Sequence, residues 1–136
     1  MDFATSTEEV FASIFNKFMT DAQKLGSQAE IFAKEYLQKI GYQIIDTNYR
    51  CSLGEIDIIA KDHHELVFIE VKSLSNAKIF DPMDHMTIKK QKKLIQLAQS
   101  YTSSWVQDID QRIDIILVYC HTTPWTLNHF KNAIEN

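Results

Sequence analysis

Two apolar segments separated by a short polar connector constrain the fold of this chain most strongly. Residues 55–60 (EIDIIA) and 66–72 (LVFIEVK) are rich in β-branched and aromatic residues, and their side chains alternate in character. Such a period of two is typical of β-strands. The connector, residues 61–65, is polar, and strands joined by about five residues commonly form an antiparallel hairpin. We therefore predict a hairpin over residues 55–72.

Acidic residues interrupt both predicted strands. Alternation gives the first strand two faces, with Glu55, Asp57 and Ile59 on one and Ile56, Ile58 and Ala60 on the other. The second strand presents Leu66, Phe68, Glu70 and Lys72 on one face and Val67, Ile69 and Val71 on the other. Asp57 and Glu70 can therefore face one another across the hairpin.

This placement of Asp57 and Glu70 suggests a metal site. An ionised carboxylate inside an apolar strand costs several kcal/mol unless it is paired or bound to a metal ion. Carboxylate oxygens suit Mg²⁺ or Mn²⁺, which polarise a phosphoryl oxygen and lower the pKa of bound water. Lys72 would orient that water or stabilise developing negative charge. The alternative is a half-exposed sheet on which the acids pair with lysines, and spacing alone leaves both interpretations open.

Helical periodicity flanks the hairpin. Apolar residues recur at helical spacing over residues 7–24 and 27–40, and Gly26 interrupts the pattern between them. Glu30 lies at the edge of the apolar face of the second helix. The other predicted elements are a strand over 42–47, an irregular segment over 73–86, a helix over 87–103, a strand over 113–119, and a short helix or strand over 126–134. This succession predicts an α/β fold with a central mixed β-sheet flanked by α-helices.

A basic run, IKKQKKL, lies on the helix predicted over residues 87–103. Its lysines are Lys89, Lys90, Lys92 and Lys93. Such a run is commonly a solvated helix face. It can also contact the phosphates of a nucleic acid, and Arg50 would extend that surface. The residues alone favour neither interpretation.

Composition limits the class of protein. The chain has 136 residues, of which 45% are hydrophobic and 24% charged, as expected for one compact domain. A net charge of −4 is unusual for a nucleic-acid-binding protein, although a basic patch can lie on an acidic protein. No segment reaches the roughly 18 apolar residues of a membrane span, and the N-terminus carries acidic residues unlike a signal peptide. We therefore expect a cytoplasmic protein without a membrane partner.

Several short blocks of sequence resemble one known family. In order along the chain they are Gly26-Ser-Gln-Ala-Glu30, Ala33, Tyr36-Leu37, Gly41-Tyr42, Asn48-Tyr-Arg50, Gly54-Glu-Ile-Asp57-Ile-Ile-Ala60, Leu66-Val-Phe-Ile-Glu70-Val-Lys72, Lys90-Gln91 and Arg112-Ile-Asp114. This ordered set resembles the YraN family of small bacterial proteins, predicted endonucleases related to archaeal Holliday-junction resolvases. The likeness runs from about residue 25 to the C-terminus. It predicts an N-terminal amphipathic helical extension over residues 1–25 and a nuclease-like domain over residues 26–136.

The resemblance implies a restriction-endonuclease-like fold with a PD-(D/E)xK-type site. Asp57 matches the metal-binding acid of that pattern, and Glu70 and Lys72 match its E-x-K element. Glu30 matches an acid on the first core helix that joins the metal site in related resolvases. Gln91 matches a supporting polar residue on the following helix.

These observations lead to one favoured function and two rivals. We predict a Mg²⁺- or Mn²⁺-dependent endonuclease that hydrolyses phosphodiester bonds in DNA, with branched and single-stranded DNA as the substrate forms left open. The first rival is a nuclease fold that binds nucleic acid or protein with little or no catalysis. The second is an assembly role of the N-terminal helix, and the related resolvases favour a homodimer.

Overall fold

The computed structural model describes residues 6–76 and 82–135, without the side chains of Phe15, Pro82 and His85. The elements of this part of the chain are α1 (Thr7–Phe18), α2 (Asp21–Lys39), β1 (Gln43–Cys51), β2 (Gly54–Asp62), β3 (Glu65–Leu74), a short 3-10 helix (Pro82–His85), α3 (Ile88–Thr102), β4 (Gln111–Tyr119) and β5 (Thr126–Ile134). Residues 77–81 of the segment predicted to be irregular lie outside the described residues. None of the helices in the described ranges has the length and apolar character that crossing a membrane requires.

The five strands form one mixed sheet in the order β1-β2-β3-β4-β5. β3 and β4 are parallel, and the other neighbouring strands are antiparallel. The chain passes from β3 to β4 through α3, as a parallel connection requires. The predicted hairpin of β2 and β3 is confirmed, with Asp62 paired to Glu65 across its turn. The segment that the sequence left as helix or strand is the edge strand β5.

Both faces of the sheet are covered, which explains the apolar character of its central strands. One face packs with α3 in a cluster that includes Ile59, Phe68 and Leu97. The other packs with α2 in a cluster that includes Leu37, Ile58 and Ile69. Burial of such side chains is the main favourable contribution to folding.

Strict alternation holds in β3 but fails in β2. Ile56 packs in the cluster of Ile59, not in that of Ile58 as predicted. The register explains the failure, because the pairing of β2 with β3 extends from the hairpin turn only as far as Ile58 and Ile69. Beyond that pair β2 no longer follows the pleat that β3 imposes. Asp57 lies at the point where the two strands separate.

The break between the first two helices falls at residues 19–20 and not at Gly26. Thr20 caps α2 through a capping box, accepting a hydrogen bond from the Gln23 amide and donating its own amide to the Gln23 side chain. Gly26 then lies inside α2, since one glycine costs a helix only about 1 kcal/mol. The division into an extension over residues 1–25 and a domain over 26–136 stays a prediction, and α2 runs across that boundary.

A buried ionic network holds the hairpin turn, β4 and β5 together. Arg112 contacts Asp114 and Asp62 at 3.0 Å each, and His129 lies 2.7 Å from the second oxygen of Asp114. Burial opposes ionisation of Asp114, but the hydrogen bonds of His129 and Arg112 outweigh it and lower its pKa. Tyr36 extends the network to α2 through its hydroxyl contact with His129. This network lies at the hairpin-turn end of the sheet, away from the opening at Asp57.

Candidate metal centre

Asp57 occupies the opening between β2 and β3. Its Oδ2 accepts a hydrogen bond from the backbone amide of Val71 at 2.8 Å, in place of the ladder bond that the separated strands no longer make. Glu30 and Glu70 line the same cavity as Asp57. Residues 57 and 70 therefore face one cavity, and their sharing of one ion stays a prediction.

Three carboxyl groups converge closely enough to bind one cation. Glu30 of α2 and Glu55 and Asp57 of β2 each offer an oxygen, and these oxygens all lie within 4.8 Å of one another. Asn48 of β1 links two of these acids. With its amide nitrogen turned toward them, it donates to Glu30 at 3.0 Å and to Glu55 at 3.2 Å. These two hydrogen bonds orient Glu30 of α2 and Glu55 of β2.

The crowding of these acids changes their protonation. Burial, together with the negative charges of Glu70 and Glu30, raises the pKa of Asp57 to about 8, against the opposing effect of the Val71 amide. Burial also raises the pKa of Glu30. A divalent cation relieves this repulsion and favours the ionised carboxylates. An all-oxygen donor set of this kind fits Mg²⁺ or Mn²⁺.

Glu70 differs from the other acids because it has a cationic partner. Its Oε1 lies 2.7 Å from Nζ of Lys90 on α3. The side chain of Glu70 is 11% exposed and that of Lys90 is 47% exposed, and both residues line the same open cavity. The negative charge of Glu70 therefore acts on two groups. It raises the pKa of Asp57 and attracts the ammonium group of Lys90.

The acids form the floor of a cavity of about 560 Å³ between the sheet and α3. Its lining residues are Glu30, Gly54, Glu55, Asp57, Glu70, Thr87, Lys89, Lys90, Lys93, Leu94 and Leu97. The cavity therefore combines acids of α2, β2 and β3 with lysines of α3. Glu30 and Asp57 also line a smaller groove of about 230 Å³, together with Phe11, Ile31 and Asn48.

The predicted site residues divide into two groups. The structure brings Asp57, Glu70 and Glu30 together and adds Lys89, Lys90 and Lys93 to the same cavity. Lys72 and Lys92 are exposed and are not among the residues that line it. Gln91 donates instead to the backbone carbonyl of Met86 at 3.1 Å, which ties α3 to the preceding turn. Arg50 pairs with Glu55 at 3.3 Å on the rim.

Two residues of the cluster, Glu55 and Asn48, had no predicted role. A signal for Glu55 existed, since alternation placed it on the face of Asp57. Asn48 was marked only as part of the block Asn48-Tyr-Arg50, and its backbone adopts a left-handed conformation with φ of 54°. That conformation is one asparagine tolerates better than most residues. Its contact with Glu30 depends on how α2 packs against β1.

Similar proteins support the fold. The model of the uncharacterised protein family UPF0102 matches residues 29–118. A UPF0102 protein of Chlorobium chlorochromatii is 40% identical over 116 residues, which are 81% of this chain and 90% of that protein. One of Desulforamulus reducens is 41% identical over 115 residues, covering 81% and 94%.

A solved structure shares the arrangement of helices and strands. A Holliday junction resolvase of Archaeoglobus fulgidus matches with a TM-score of 0.50 at 16% identity, over 78% of this chain and 86% of that one. The predicted restriction-endonuclease-like α/β fold is thereby confirmed. At this identity the likeness concerns the fold alone.

Proposed function

Since this chain belongs to the uncharacterised protein family UPF0102, we propose that it is a metal-dependent endonuclease that hydrolyses phosphodiester bonds in DNA. The family is the one that the resemblance to YraN proteins predicted. One observation supports the proposal most strongly, namely the convergence of Glu30, Glu55 and Asp57 on the floor of a cavity with a lysine-bearing wall.

The metal ligands in this proposal are Asp57, Glu30 and Glu55, with Glu70 beside them. When bound by these residues, Mg²⁺ or Mn²⁺ would supply Lewis-acid chemistry, polarising a phosphoryl oxygen and making a water molecule more acidic. The chain supplies the orientation. The Val71 amide fixes one oxygen of Asp57, and Asn48 bridges the carboxyl groups of Glu30 and Glu55.

The lysines of α3 supply the affinity for a polyanion. Lys89, Lys90 and Lys93 line the cavity, and Lys92 and Arg50 extend the positive surface around it. Neutralised phosphates release counterions, so binding should weaken steeply as salt rises. A cavity with acids on one wall and cations on the other suits a phosphodiester that also contacts a metal ion. This supports nucleic acid, and DNA in particular, as the partner.

Branched DNA is the first form of substrate that we propose, because a solved structure that shares the fold is a Holliday junction resolvase, and single-stranded DNA is the second form. A homodimer, which the resemblance to resolvases implied, belongs to the same proposal. The apolar residues exposed on α1 support it, since Ile14 and Phe18 are 52% and 71% exposed.

The roles of Lys72 and Gln91 stay predictions from the PD-(D/E)xK pattern. The exposed position of Lys72 gives its assignment no support. The contact of Gln91 with the Met86 carbonyl favours a role in positioning α3 over direct contact with a metal.

The second candidate function is a nuclease fold that binds nucleic acid or protein without cutting. The exposed Lys72 and the net charge of −4 favour it. Metal binding separates the two candidates, because a ligand that binds only the folded state raises the melting temperature. A protein that binds its partner without metal should show no rise in melting temperature when Mn²⁺ is added.

Cleavage of a supercoiled plasmid and of a synthetic four-way junction with Mn²⁺ or Mg²⁺ tests the proposal. We expect cutting by the wild-type protein and losses of about 100-fold or more in Asp57→Ala and Glu30→Gln, since both remove a proposed ligand. Glu35→Gln is the matched control, because Glu35 is an exposed acid of the same helix outside the cavity. Equal cutting by all four proteins would exclude this mechanism.

A further inference from the structure

Hydrolysis of a phosphodiester benefits from a fixed cation beside the metal, because negative charge develops on the phosphate. The E-x-K pattern assigns that part to Lys72 on β3. The structure places Lys72 in an exposed position, outside the residues that line the cavity, whereas Lys90 lies in the cavity against Glu70. We infer that Lys90 of α3, and not Lys72 of β3, contacts the scissile phosphate. This inference rests on the proposed nuclease function.

The ammonium group of Lys90 lies beside an acid of the cavity. Nζ of Lys90 lies 2.7 Å from Oε1 of Glu70, and Glu70 lines the same cavity as Asp57 and Glu30. A phosphate oxygen bound at the acid cluster would therefore lie within reach of Lys90. Because the lysine side chain is 47% exposed, it can exchange Glu70 for a substrate oxygen without leaving the cavity.

Lys90 lies in the capped first turn of α3. Thr87 caps the helix, and its hydroxyl accepts a hydrogen bond from the backbone amide of Lys90 at 3.1 Å. Lys90 thus belongs to the first turn, where the helix dipole favours negative groups. Next to it, the Lys93 stem packs so closely over Gly54 that a β-carbon there would lie 3.3 Å from Cε. The first turns of α3 are thereby capped and packed against the start of β2.

Lys72 lies farther along β3 than Glu70. The strand pairs with β2 only up to Ile69, and Lys72 lies beyond Glu70, where β3 pairs with Leu117 of β4. Two residues along a strand correspond to about 6.6 Å. The backbone of Lys72 is therefore displaced from the acid cluster along the strand, and its side chain is solvent-exposed.

Lys90 acts electrostatically in this scheme and keeps its proton. The oxygen of the attacking water forms a bond to phosphorus, and the proton it loses passes to solvent. The bond from phosphorus to the leaving sugar oxygen breaks, and that oxygen takes a proton from solvent. The ammonium group stabilises the charge that accumulates on the non-bridging oxygens between these events.

The experiment compares Lys90→Met and Lys72→Met in the full chain, with Lys39→Met as the control on an exposed part of α2. Single-turnover cleavage of a four-way junction with Mn²⁺ gives the rate, and calorimetric titration with Mn²⁺ alone gives the metal affinity. We expect Lys90→Met to lower the rate by about 100-fold or more, and Lys72→Met to lower it by less than about 10-fold. Lys39→Met should match the wild-type protein.

The titration provides a readout that does not depend on cutting. Removing the ammonium next to Glu70 should tighten Mn²⁺ binding several-fold in Lys90→Met, since like charges oppose one another, and should leave it closer to wild type in Lys72→Met. Lys90→Arg should restore part of the cleavage rate, because it returns the charge. A Lys90→Met protein that loses both Mn²⁺ binding and its cooperative melting transition would show a structural role and overturn the inference.

The remaining outcomes separate this inference from the proposed function. If the wild-type protein cuts the junction and Lys72→Met abolishes cutting while Lys90→Met does not, the proposed function stands and the assignment of Lys90 is overturned. If the wild-type protein neither binds Mn²⁺ nor cuts plasmid, junction or single-stranded DNA, the proposed function fails and the assignment fails with it.

Discussion

At the scale of single residues, the protonation of Asp57 links metal binding to pH. Its pKa rises from an ordinary 3.8 to about 8, with burial as the largest cause. The unfolded chain ionises this carboxyl near its ordinary pKa, while the folded chain keeps the proton until about pH 8. Stability is therefore lost as pH rises between these two values and changes no further above them.

Because ionising Asp57 destabilises the folded protein, removing this charge should stabilise it at high pH. Asp57→Asn keeps an oxygen for the Val71 amide but removes the charge, so the variant should be more stable than wild type when no metal is bound. In EDTA, we expect its melting temperature to be higher by about 5 °C or more at pH 8.5 and nearly equal at pH 4. Thermal melts across this pH range check the expectation, and a difference independent of pH would contradict it.

The same carboxyl should make metal affinity depend on pH. A cation must displace the proton that Asp57 holds below about pH 8, so binding releases it. We expect the Mn²⁺ association constant to rise by up to about tenfold per pH unit from pH 6 to pH 8 and to level off above. Calorimetric titrations in buffers of different ionisation enthalpy measure the released proton. Affinity that does not vary with pH would contradict this prediction.

Individual residues differ in how far the sequence could place them. Asp57 and Glu70 were predictable as neighbours, because a hairpin brings adjacent strands together and the family resemblance marked both. The exposure of Lys72 was not predictable, since the E-x-K spacing gives its face but not where the cavity ends. Asn48 was not predictable either, because its contacts depend on packing between α2 and β1.

At the scale of secondary structure, the strands of the sheet could be predicted more reliably than the ends of the helices. The alternation of β3 and the short connector gave the hairpin correctly. The separation of β2 from β3 left no mark in the pattern, since it arises where pairing ends at Ile58 and Ile69. The break before α2 was misplaced because a capping box at Thr20 decides it, while Gly26 alone is a weak signal.

Two glycines in different backbone environments give an element-scale prediction. Gly54 opens β2 with φ of 141°, and a β-carbon there would lie 3.3 Å from Lys93, so Gly54→Ala should destabilise the fold by about 1–3 kcal/mol. Gly26 lies inside α2 with nothing within 4 Å of an added β-carbon. Gly26→Ala should therefore stabilise the fold by about 0.5–1 kcal/mol. Urea unfolding measures both, and equal effects would contradict the structure.

At the scale of the whole molecule, α1 stands apart from the family core. The UPF0102 model begins at residue 29, so α1 and the first half of α2 lie outside it. α1 exposes apolar residues along its length, among them Ile14 and Phe18. A two-fold symmetric dimer could bury these residues, because its interface uses the same surface of both subunits.

The homodimer proposal predicts a change in solution mass. Phe18→Asp places a charge on the exposed face of α1, which should shift the protein from dimer to monomer because an unpaired charge is costly in an apolar interface. Val106→Asp is the control, since Val106 is fully exposed in the connection between α3 and β4. Light scattering coupled to size exclusion measures the mass. A wild-type monomer at micromolar concentration would contradict the proposal.

The acid cluster borders both the cavity beneath α3 and the groove beside Phe11, with Glu30 and Asp57 common to the two. Glu30 and Asp57 are therefore accessible from two separate depressions of the surface. A polymer bound in the cavity beneath α3 would leave these two acids open to water or a hydrated ion from the groove beside Phe11.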